Sequence, residues 1–367
     1  MFWWAADVIE APPAVPVLVQ SIRQKLVQFG DGPAAVLGVV VDVGGGVLSM
    51  SPPASVSRVT GTTPDGTAIE FRVTSRDAIS GLSLLTPASP SPWSRATQPV
   101  SLATGASVLN RTLYAISPLA TQALSSGART GIGIVQPENR FVPLTELTLE
   151  KPDDKIGGAL IFNDRGELAG IVQASLEPAV KPNNVAGARK AQSQEFGPKG
   201  ITVAYSIAPS MLSRVVRGFR TPERTVPHPS IGVQLGSTPG SAGARVLGVT
   251  PDGPAAFAGL EVNDVIVASN EQRVADHLAM ALEMSEWNPG QVVVLEVSRP
   301  GRGLNLQIRI RVGRYQPLRA NKVAQLVPER AIVVESVDER LKGDVNAFTE
   351  FQPANVLPGV PAVDFAK

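Results

Sequence analysis

The chain has 367 residues, which exceeds the size of one ordinary core and predicts two domains with extensions. Its 33 Lys and Arg residues almost balance its 32 Asp and Glu residues, which argues against nucleic acid or an anionic membrane as the main partner. The absence of cysteine excludes disulfides, thiolate nucleophiles and cysteine metal sites.

Residues 1–20 form an apolar lead-in that prolines interrupt. It begins with three large aromatic residues, Phe2, Trp3 and Trp4, and it lacks the basic start and the sustained apolar run of an export signal. Nowhere does the chain reach the roughly 20 apolar residues that a membrane-spanning helix needs. We therefore expect a soluble chain without a membrane span, and the residues alone leave its compartment unknown.

Residues 21–218 have the pattern of short β-strands separated by turns. Valine-rich runs such as 36–42 favour strands, and the Pro-Asp-Gly sequence at 64–66 favours a tight turn between two of them. Many short strands at this spacing predict an all-β barrel or sandwich. A helix is predicted at 209–216, and the polar stretch 176–200 predicts a surface loop.

The remainder of the chain divides into a linker, a second domain and an arm. Residues 219–229 are polar and proline-rich, as in linkers. Residues 230–315 alternate strand patterns with two helices, a short one at 254–258 and a longer one at 275–286. Residues 316–367 contain few periodic signals and predict an extended arm with at most one short helix or strand.

Three segments of the first domain resemble trypsin-like serine proteases of the HtrA/Deg family. Residues 153–160, DDKIGGAL, are similar to the family's nucleophile loop GNSGGPL. Residues 36–53 resemble its opening GSGFVID-x-DGYILTNAHVV, and residues 74–85 resemble its run D-x-x-TDLALL. The resemblance implies a double β-barrel for residues 21–218.

The same resemblance places Pro52, Gly81 and Ile156 at the positions of the catalytic histidine, aspartate and serine. The triad works because histidine takes the serine proton and aspartate orients the imidazole, and losing one member typically costs about 10⁴-fold in rate. None of the three residues present can do this, and no histidine precedes His228. We therefore predict a pseudoprotease that is not an enzyme.

Two other arrangements in the nucleophile loop carry chemistry in principle. Lys155 lies near several serines, so a Ser-Lys dyad would make the chain a divergent serine-type endopeptidase. Asp153 and Asp154 form a carboxylate pair suited to acid–base work or to a cation. Loop residues of these types are more often simply solvated, so both arrangements remain alternatives.

The second domain contains the most specific motif of the chain. Residues 249–266, VTPDGPAAFAGLEVNDVI, resemble the run V-x-x-GSPAAxAGLxxGDVI of HtrA-type PDZ domains. Residues 230–233 resemble the carboxylate-binding loop of those domains. The predicted fold is therefore mainly β, with a trypsin-like double β-barrel, a PDZ domain of five to six strands and two helices, and an extended C-terminal arm.

The PDZ resemblance implies a peptide-binding site, in which a peptide joins the sheet as an additional strand and backbone N–H groups receive its carboxylate. Leu278 and Leu282 lie one helical turn apart, and their positions suit either the groove or the core. His277 is expected to be a plain surface residue of this helix, with a ligand-reading residue as the alternative. The predicted contact residues are Ile231, Gly232, Val233, Gln234, Leu235, Leu278 and Leu282.

These features lead to a functional prediction with two alternatives. The resemblance implies a catalytically inactive HtrA-like scaffold or adaptor, including a chaperone-like role in protein quality control, that binds protein C-termini or extended peptides without a cofactor or a metal. It also implies a homotrimer through Phe2, Trp3 and Trp4, for which a truncated signal remnant and packing onto the chain's own barrel are the alternatives. The resemblance alone suggests the cell envelope or periplasm. The alternatives are the divergent endopeptidase and a structural subunit of a larger assembly.

Overall fold

The computed structural model describes residues 15–32, 35–105, 108, 111–118, 120–136, 140–149, 156–176, 203–238, 242–301, 305–315 and 331–335. They separate into two compact units. The first unit contains the described residues up to Gly131 and those of Leu144–Val216, and the second contains those of Ile132–Pro143 and those from Arg217 onward. Phe2, Trp3, Trp4, the Asp153–Lys155 segment and nearly all of the 176–200 stretch lie outside the described residues.

Helix α1 opens the first unit, where the sequence predicted only a lead-in and then strands. That prediction is wrong for residues 15–23, because Val19 and Ile22 are spaced for one helical face and both are buried. Val17 lies on the exposed side. The helix is α1 (Val15–Arg23).

Six strands then form a closed barrel in the order β1-β2-β3-β6-β5-β4. Phe29 and Phe71 pack edge to face in its centre, with ring centroids 5.4 Å apart. A Cβ at Gly61 would lie 2.7 Å from the ring of Phe29, so only glycine fits there. The strands are β1 (Leu26–Phe29), β2 (Val36–Asp42), β3 (Gly46–Met50), β4 (Arg58–Thr62), β5 (Ala68–Asp77) and β6 (Leu82–Pro87).

A second set of six strands has the order β8-β7-β10-β11-β12-β9. An additional pairing joins its first strand, β8, to its last strand, β9, and so closes the sheet. Its apolar core includes Leu113, Leu147, Ile161 and Val172. The elements are α2 (Pro92–Ala96), β7 (Thr112–Ile116), β8 (Thr121–Gln136), β9 (Arg140–Leu149), β10 (Leu160–Phe162), β11 (Leu168–Leu176), β12 (Val203–Ile207) and α3 (Pro209–Phe219). Helix α3 confirms the helix predicted at 209–216.

From Pro229 to Arg314, the second unit contains a six-stranded sheet and two helices. Five of the strands have the order β14-β15-β16-β18-β19, with β14 and β19 at the two ends, and the short strand β17 pairs with β16. Its core includes Val246, Ile266, Met280, Trp287 and Leu295. The elements are β13 (Pro229–Ser230), β14 (Val233–Gly236), β15 (Ala244–Val249), α4 (Pro254–Phe257), β16 (Val265–Ser269), β17 (Gln272–Arg273), α5 (His277–Glu286), β18 (Val292–Ser298), β19 (Leu306–Arg311) and β20 (Gly313–Arg314).

A further strand, β21 (Ala331–Glu335), lies in the C-terminal arm and pairs with Ile132–Gln136 of β8. The pairing is antiparallel and sets Ala331 opposite Gln136. The mainly β character predicted from the sequence is confirmed by these strands. Among the described residues, no helix is long and apolar enough to cross a membrane.

The turn after α4 is held by a partly buried ion pair between Arg299 and Asp264 of the most specific motif. The Arg299 guanidinium donates to both carboxylate oxygens of Asp264, at 2.7 and 2.8 Å, and to the carbonyl oxygen of Gly259 at 2.7 Å. It also pairs with Glu261 at 2.6 Å. The hydrogen bond to Asp264 raises the pKa of Arg299, so the guanidinium stays charged and the motif's aspartate has a structural role.

Candidate functional site

Two of the three positions that match the protease triad are neighbours in the first barrel. Ser51 donates its backbone N–H to the carbonyl oxygen of Gly81 at 2.9 Å, which joins the chain just before Pro52 to the chain just before β6. The hydroxyl groups of Ser51 and Ser83 lie 2.7 Å apart. Pro52 and Gly81 are both buried, and Gly81 has a φ of +67°, a backbone conformation that favours glycine.

Arg76 fixes the loop that carries Pro52. Its guanidinium, on β5, donates to the carbonyl oxygens of Pro52 and Val56 and, at 3.2 Å, to that of Pro53. A planar guanidinium can hold several acceptors at once, so it ties the whole 52–56 loop to the barrel. Sequence reasoning missed this residue, because no local pattern shows which loop a strand arginine faces.

Ile156, which the sequence resemblance matches to the catalytic serine, lies in the apolar core of the second barrel. Its side chain is 1% exposed and packs with residues that include Leu147 and Val172. The turn that follows is closed by hydrogen bonds from Gly158 to Val172 and from Ala159 to Ile156, each 3.0 Å long. The side chain of Ile156 therefore points into the core, and the turn that follows it is held by backbone hydrogen bonds.

In the second unit, the loop at 231–232 carries the residues for which the sequence resemblance predicts carboxylate binding. Its two carbonyl oxygens already accept hydrogen bonds, that of Gly232 from Thr250 at 2.8 Å and that of Ile231 from Ala255 at 2.9 Å. Across the described parts of the chain, the backbone N–H groups of Ile231 and Gly232 donate to no acceptor. Gly232 has a φ of +75°, and a Cβ there would lie 3.1 Å from Thr250.

Strand β14 continues from this loop as an outer strand of the sheet. It pairs with β15 on one side, with Val233 opposite Val249 and Gln234 opposite Gly248, and no described strand pairs with its other side. Val233 and Leu235 are partly buried against the core, whereas Gln234 is exposed. The outer edge of β14 therefore offers backbone groups to an added strand.

Helix α5 packs against β13, β14 and β15 and forms the other side of this groove. Asp276 caps the helix, with its carboxylate accepting the N–H of Ala279 at 2.8 Å. Leu278 and Leu282 are half-buried and lie outside the core cluster, which takes Met280 from this helix instead. The seven predicted contact residues thus lie on the 231–232 loop, on β14 and on α5, which packs against β14.

Comparison with known proteins identifies this unit, because a family model for PDZ domains matches residues 229–310. Residues 229–310 form a PDZ domain. Its β14–α5 groove and its 231–232 loop are the parts that the sequence resemblance singled out.

Solved structures extend the likeness to the first unit. The HtrA-type protease AlgW with tripeptide superposes with a TM-score of 0.60 at 17% identity, over 83% of this chain and 99% of that chain. The serine endoprotease from Yersinia pestis superposes with a TM-score of 0.53 at 19% identity, over 84% and 100%. At this identity the likeness concerns the fold, and the predicted trypsin-like barrel followed by a PDZ domain is confirmed.

The curated relatives that match are serine endoproteases named DegS. The one from Salmonella typhimurium is 28% identical over 163 residues, and the one from Escherichia coli is 28% identical over 162 residues. Each match covers 42% of this chain, and it spans 42% and 41% of the two relatives. These matches support the resemblance to the HtrA family.

The prediction that this chain is not an enzyme is contradicted by those relatives, whose names are those of serine endoproteases. Pro52, Gly81 and Ile156 supply none of the triad's reacting groups, but that argument concerns one mechanism at three positions. The argument does not exclude catalysis by other side chains of the barrel, such as the serine hydroxyls near Pro52. The inference from missing side chains to missing activity was therefore too broad.

His277, at the start of α5 in the PDZ domain, differs from the plain surface residue predicted for it. Its Nδ1 atom is buried and has no hydrogen-bond partner among the described residues. A buried polar atom without a partner is costly, so a ligand that hydrogen-bonds to it gains affinity. The sequence held no signal for this, because the burial of one ring nitrogen depends on how α5 packs.

Proposed function

We propose that this protein binds extended peptides or protein C-termini through its PDZ domain and acts as a peptide-binding scaffold or adaptor. The observation that carries the proposal is the pairing of a free strand edge at β14 with N–H groups of Ile231 and Gly232 that have no acceptor among the described residues. A terminal carboxylate satisfies those N–H groups, and the preceding peptide backbone satisfies β14.

The seven groove residues divide by role. The backbone of Ile231, Gly232 and Val233 receives the carboxylate, and that of Gln234 and Leu235 pairs with the peptide. Glycine at 232 allows the close approach that a Cβ would obstruct.

Leu278 and Leu282 offer an apolar wall for the peptide side chains. The solved HtrA-type protease AlgW is described with a tripeptide and with a decapeptide, which fits this type of ligand.

A titration of the full chain tests this function. A fluorescein-labelled random pool of nonapeptides with free C-termini is compared with the same pool after C-terminal amidation, and binding is followed by anisotropy. We expect amidation to weaken binding at least about tenfold, because a neutral amide loses the charge-assisted hydrogen bonds of the loop. Leu282→Asp should weaken binding to a similar extent.

The matched control is Val262→Asp, at an exposed apolar residue of the PDZ domain away from the groove. It should bind as the wild type does. Equal binding of the free and amidated pools, or unchanged binding in the Leu282→Asp variant, would contradict the proposed site.

A second candidate function is that of a serine-type endopeptidase, which the names of the curated relatives favour. Such an activity requires groups other than the side chains of Pro52, Gly81 and Ile156. Hydrolysis of fluorescein-labelled casein by the purified chain, together with labelling by a fluorophosphonate probe, tests it. Turnover that the probe abolishes would establish the activity, and a rate equal to that of buffer would remove this candidate.

A further inference from the structure

Helix α4 of the PDZ domain presents an aromatic side chain to solvent. Phe257 is 80% exposed, although its neighbours Ala255 and Leu260 are buried. Burying one phenylalanine side chain is among the larger single contributions to association. An exposed phenylalanine next to a depression is therefore a natural anchor for a partner.

The depression beside Phe257 is formed by closely packed residues. It has a volume of about 440 Å³, and Pro254, Val312 and Gly313 form part of its apolar lining. A Cβ at Gly313 would lie 2.9 Å from the ring of Pro254, so glycine lets the β20 backbone approach α4 closely. The depression thus results from a close contact of two elements in the PDZ domain.

The charged side chains that line this depression are positive. The charged side chains that line the depression are Arg309 and Arg311, and no acidic residue of the described chain lines it. Both arginines are exposed on β19. Arg311 reaches the carbonyl oxygen of Gly290 at 3.4 Å, a long contact that leaves most of its donors available.

This surface is separate from the peptide groove. The groove uses β14, and the depression lies beside β19, which is the outer strand at the opposite edge of the same sheet. A ligand at one edge therefore leaves the other edge accessible.

We propose that Phe257, Arg309 and Arg311 form a second docking site of the PDZ domain, for a partner polypeptide segment that carries acidic side chains on both sides of an aromatic one. Guanidinium groups pair with carboxylates through two parallel hydrogen bonds, which favours acidic partners. The aromatic side chain of the partner packs against Phe257 over the apolar floor. The occupant is an internal segment, because this site has no loop that receives a chain terminus.

A synthetic probe tests the site with the full chain. The probe is a fluorescein-labelled, C-terminally amidated peptide, Gly-Ser-Asp-Glu-Phe-Asp-Glu-Ser-Gly, whose amide end removes the carboxylate that the groove would receive. We expect saturable binding below about 1 mM in a buffer of low salt. Replacing the peptide's phenylalanine by alanine, or its acids by their amides, should weaken binding at least about tenfold.

Variants of the protein locate the binding. Phe257→Ala and the double variant Arg309→Gln, Arg311→Gln should each weaken binding at least about tenfold, and 0.5 M NaCl should reduce the wild-type affinity because exposed charges are screened. The matched controls Val262→Ala and Arg273→Gln change an exposed valine and an exposed arginine elsewhere in the PDZ domain, and they should bind as the wild type does.

Three outcomes would overturn the proposal. They are the absence of saturable binding by the wild type, equal binding of the probe whose acids are amides, and loss of binding in Leu282→Asp with retention in Phe257→Ala. The last outcome would assign the peptide to the groove. Because the probe has no free C-terminus, failure at this site leaves the function proposed for the groove intact.

Discussion

At the residue scale, single side chains decide how the loops near the candidate sites are held. Arg76 binds three carbonyl oxygens of the 52–56 loop, Gly232 supplies a positive φ, and Ile156 fills the core of the second barrel. The sequence alone identified Gly232 and Ile156 by their positions in motifs. It did not identify Arg76, since the acceptors lie 20 to 24 residues away along the chain.

Replacing Arg76 by methionine should destabilise the chain by about 1–2 kcal/mol, because the three carbonyl oxygens lose their donor and only the exposed ones regain water. Urea unfolding at pH 7, followed by tryptophan fluorescence, measures the change. Arg72→Met is the matched control, at an exposed arginine of the same strand, and it should change stability by less than about 0.5 kcal/mol. Equal effects of the two substitutions would refute this role of Arg76.

At the element scale, local sequence patterns predict the strands and their turns. They do not predict where two strands pack so closely that only glycine fits between them. The predicted helices at 209–216, 254–258 and 275–286 are confirmed as α3, α4 and α5. Helix α1 was missed because its apolar spacing lies next to a proline-rich stretch. The first barrel closes only where glycine leaves room, as Gly61 does beside Phe29.

Replacing Gly61 by alanine should destabilise the first barrel by about 1–3 kcal/mol, because the new Cβ would lie 2.5 Å from Val27 and 2.7 Å from Phe29, both fully buried. The midpoint of thermal unfolding measures the loss. Gly105→Ala is the control, since no atom lies within 4 Å of a Cβ at that position. A variant at Gly61 as stable as the one at Gly105 would show that the barrel relaxes around the methyl group.

At the scale of the whole molecule, the chain joins a barrel unit to a PDZ domain with two outer strands available on its sheet. The groove at β14 and the depression beside β19 are the two sites of that domain at which we propose that partners bind. The homotrimer predicted from the sequence resemblance also belongs to this scale. It would be formed through Phe2, Trp3 and Trp4, which lie outside the described residues.

Deleting residues 1–10 tests the homotrimer that the sequence resemblance implies. The mass in solution should fall from that of three 38.4 kDa chains to that of one, because large aromatic side chains contribute strongly to the stability of an interface. Size-exclusion chromatography with light scattering measures the mass. Substitution of Phe2, Trp3 and Trp4 by alanine keeps the segment's length and should have the same effect. An unchanged mass after deletion would exclude the trimer interface at these residues.

The sequence by itself determined the mainly β fold, because turns and strand alternation are local properties of the chain. The PDZ domain and its proposed groove segments followed from the resemblance of residues 230–233 and 249–266 to a family motif. The tertiary structure alone decided that Arg76 anchors the 52–56 loop, that one nitrogen of His277 is buried, and that Phe257 is exposed beside a depression that two arginines also line. These features join residues far apart in the chain, so their contacts depend on strand register and packing.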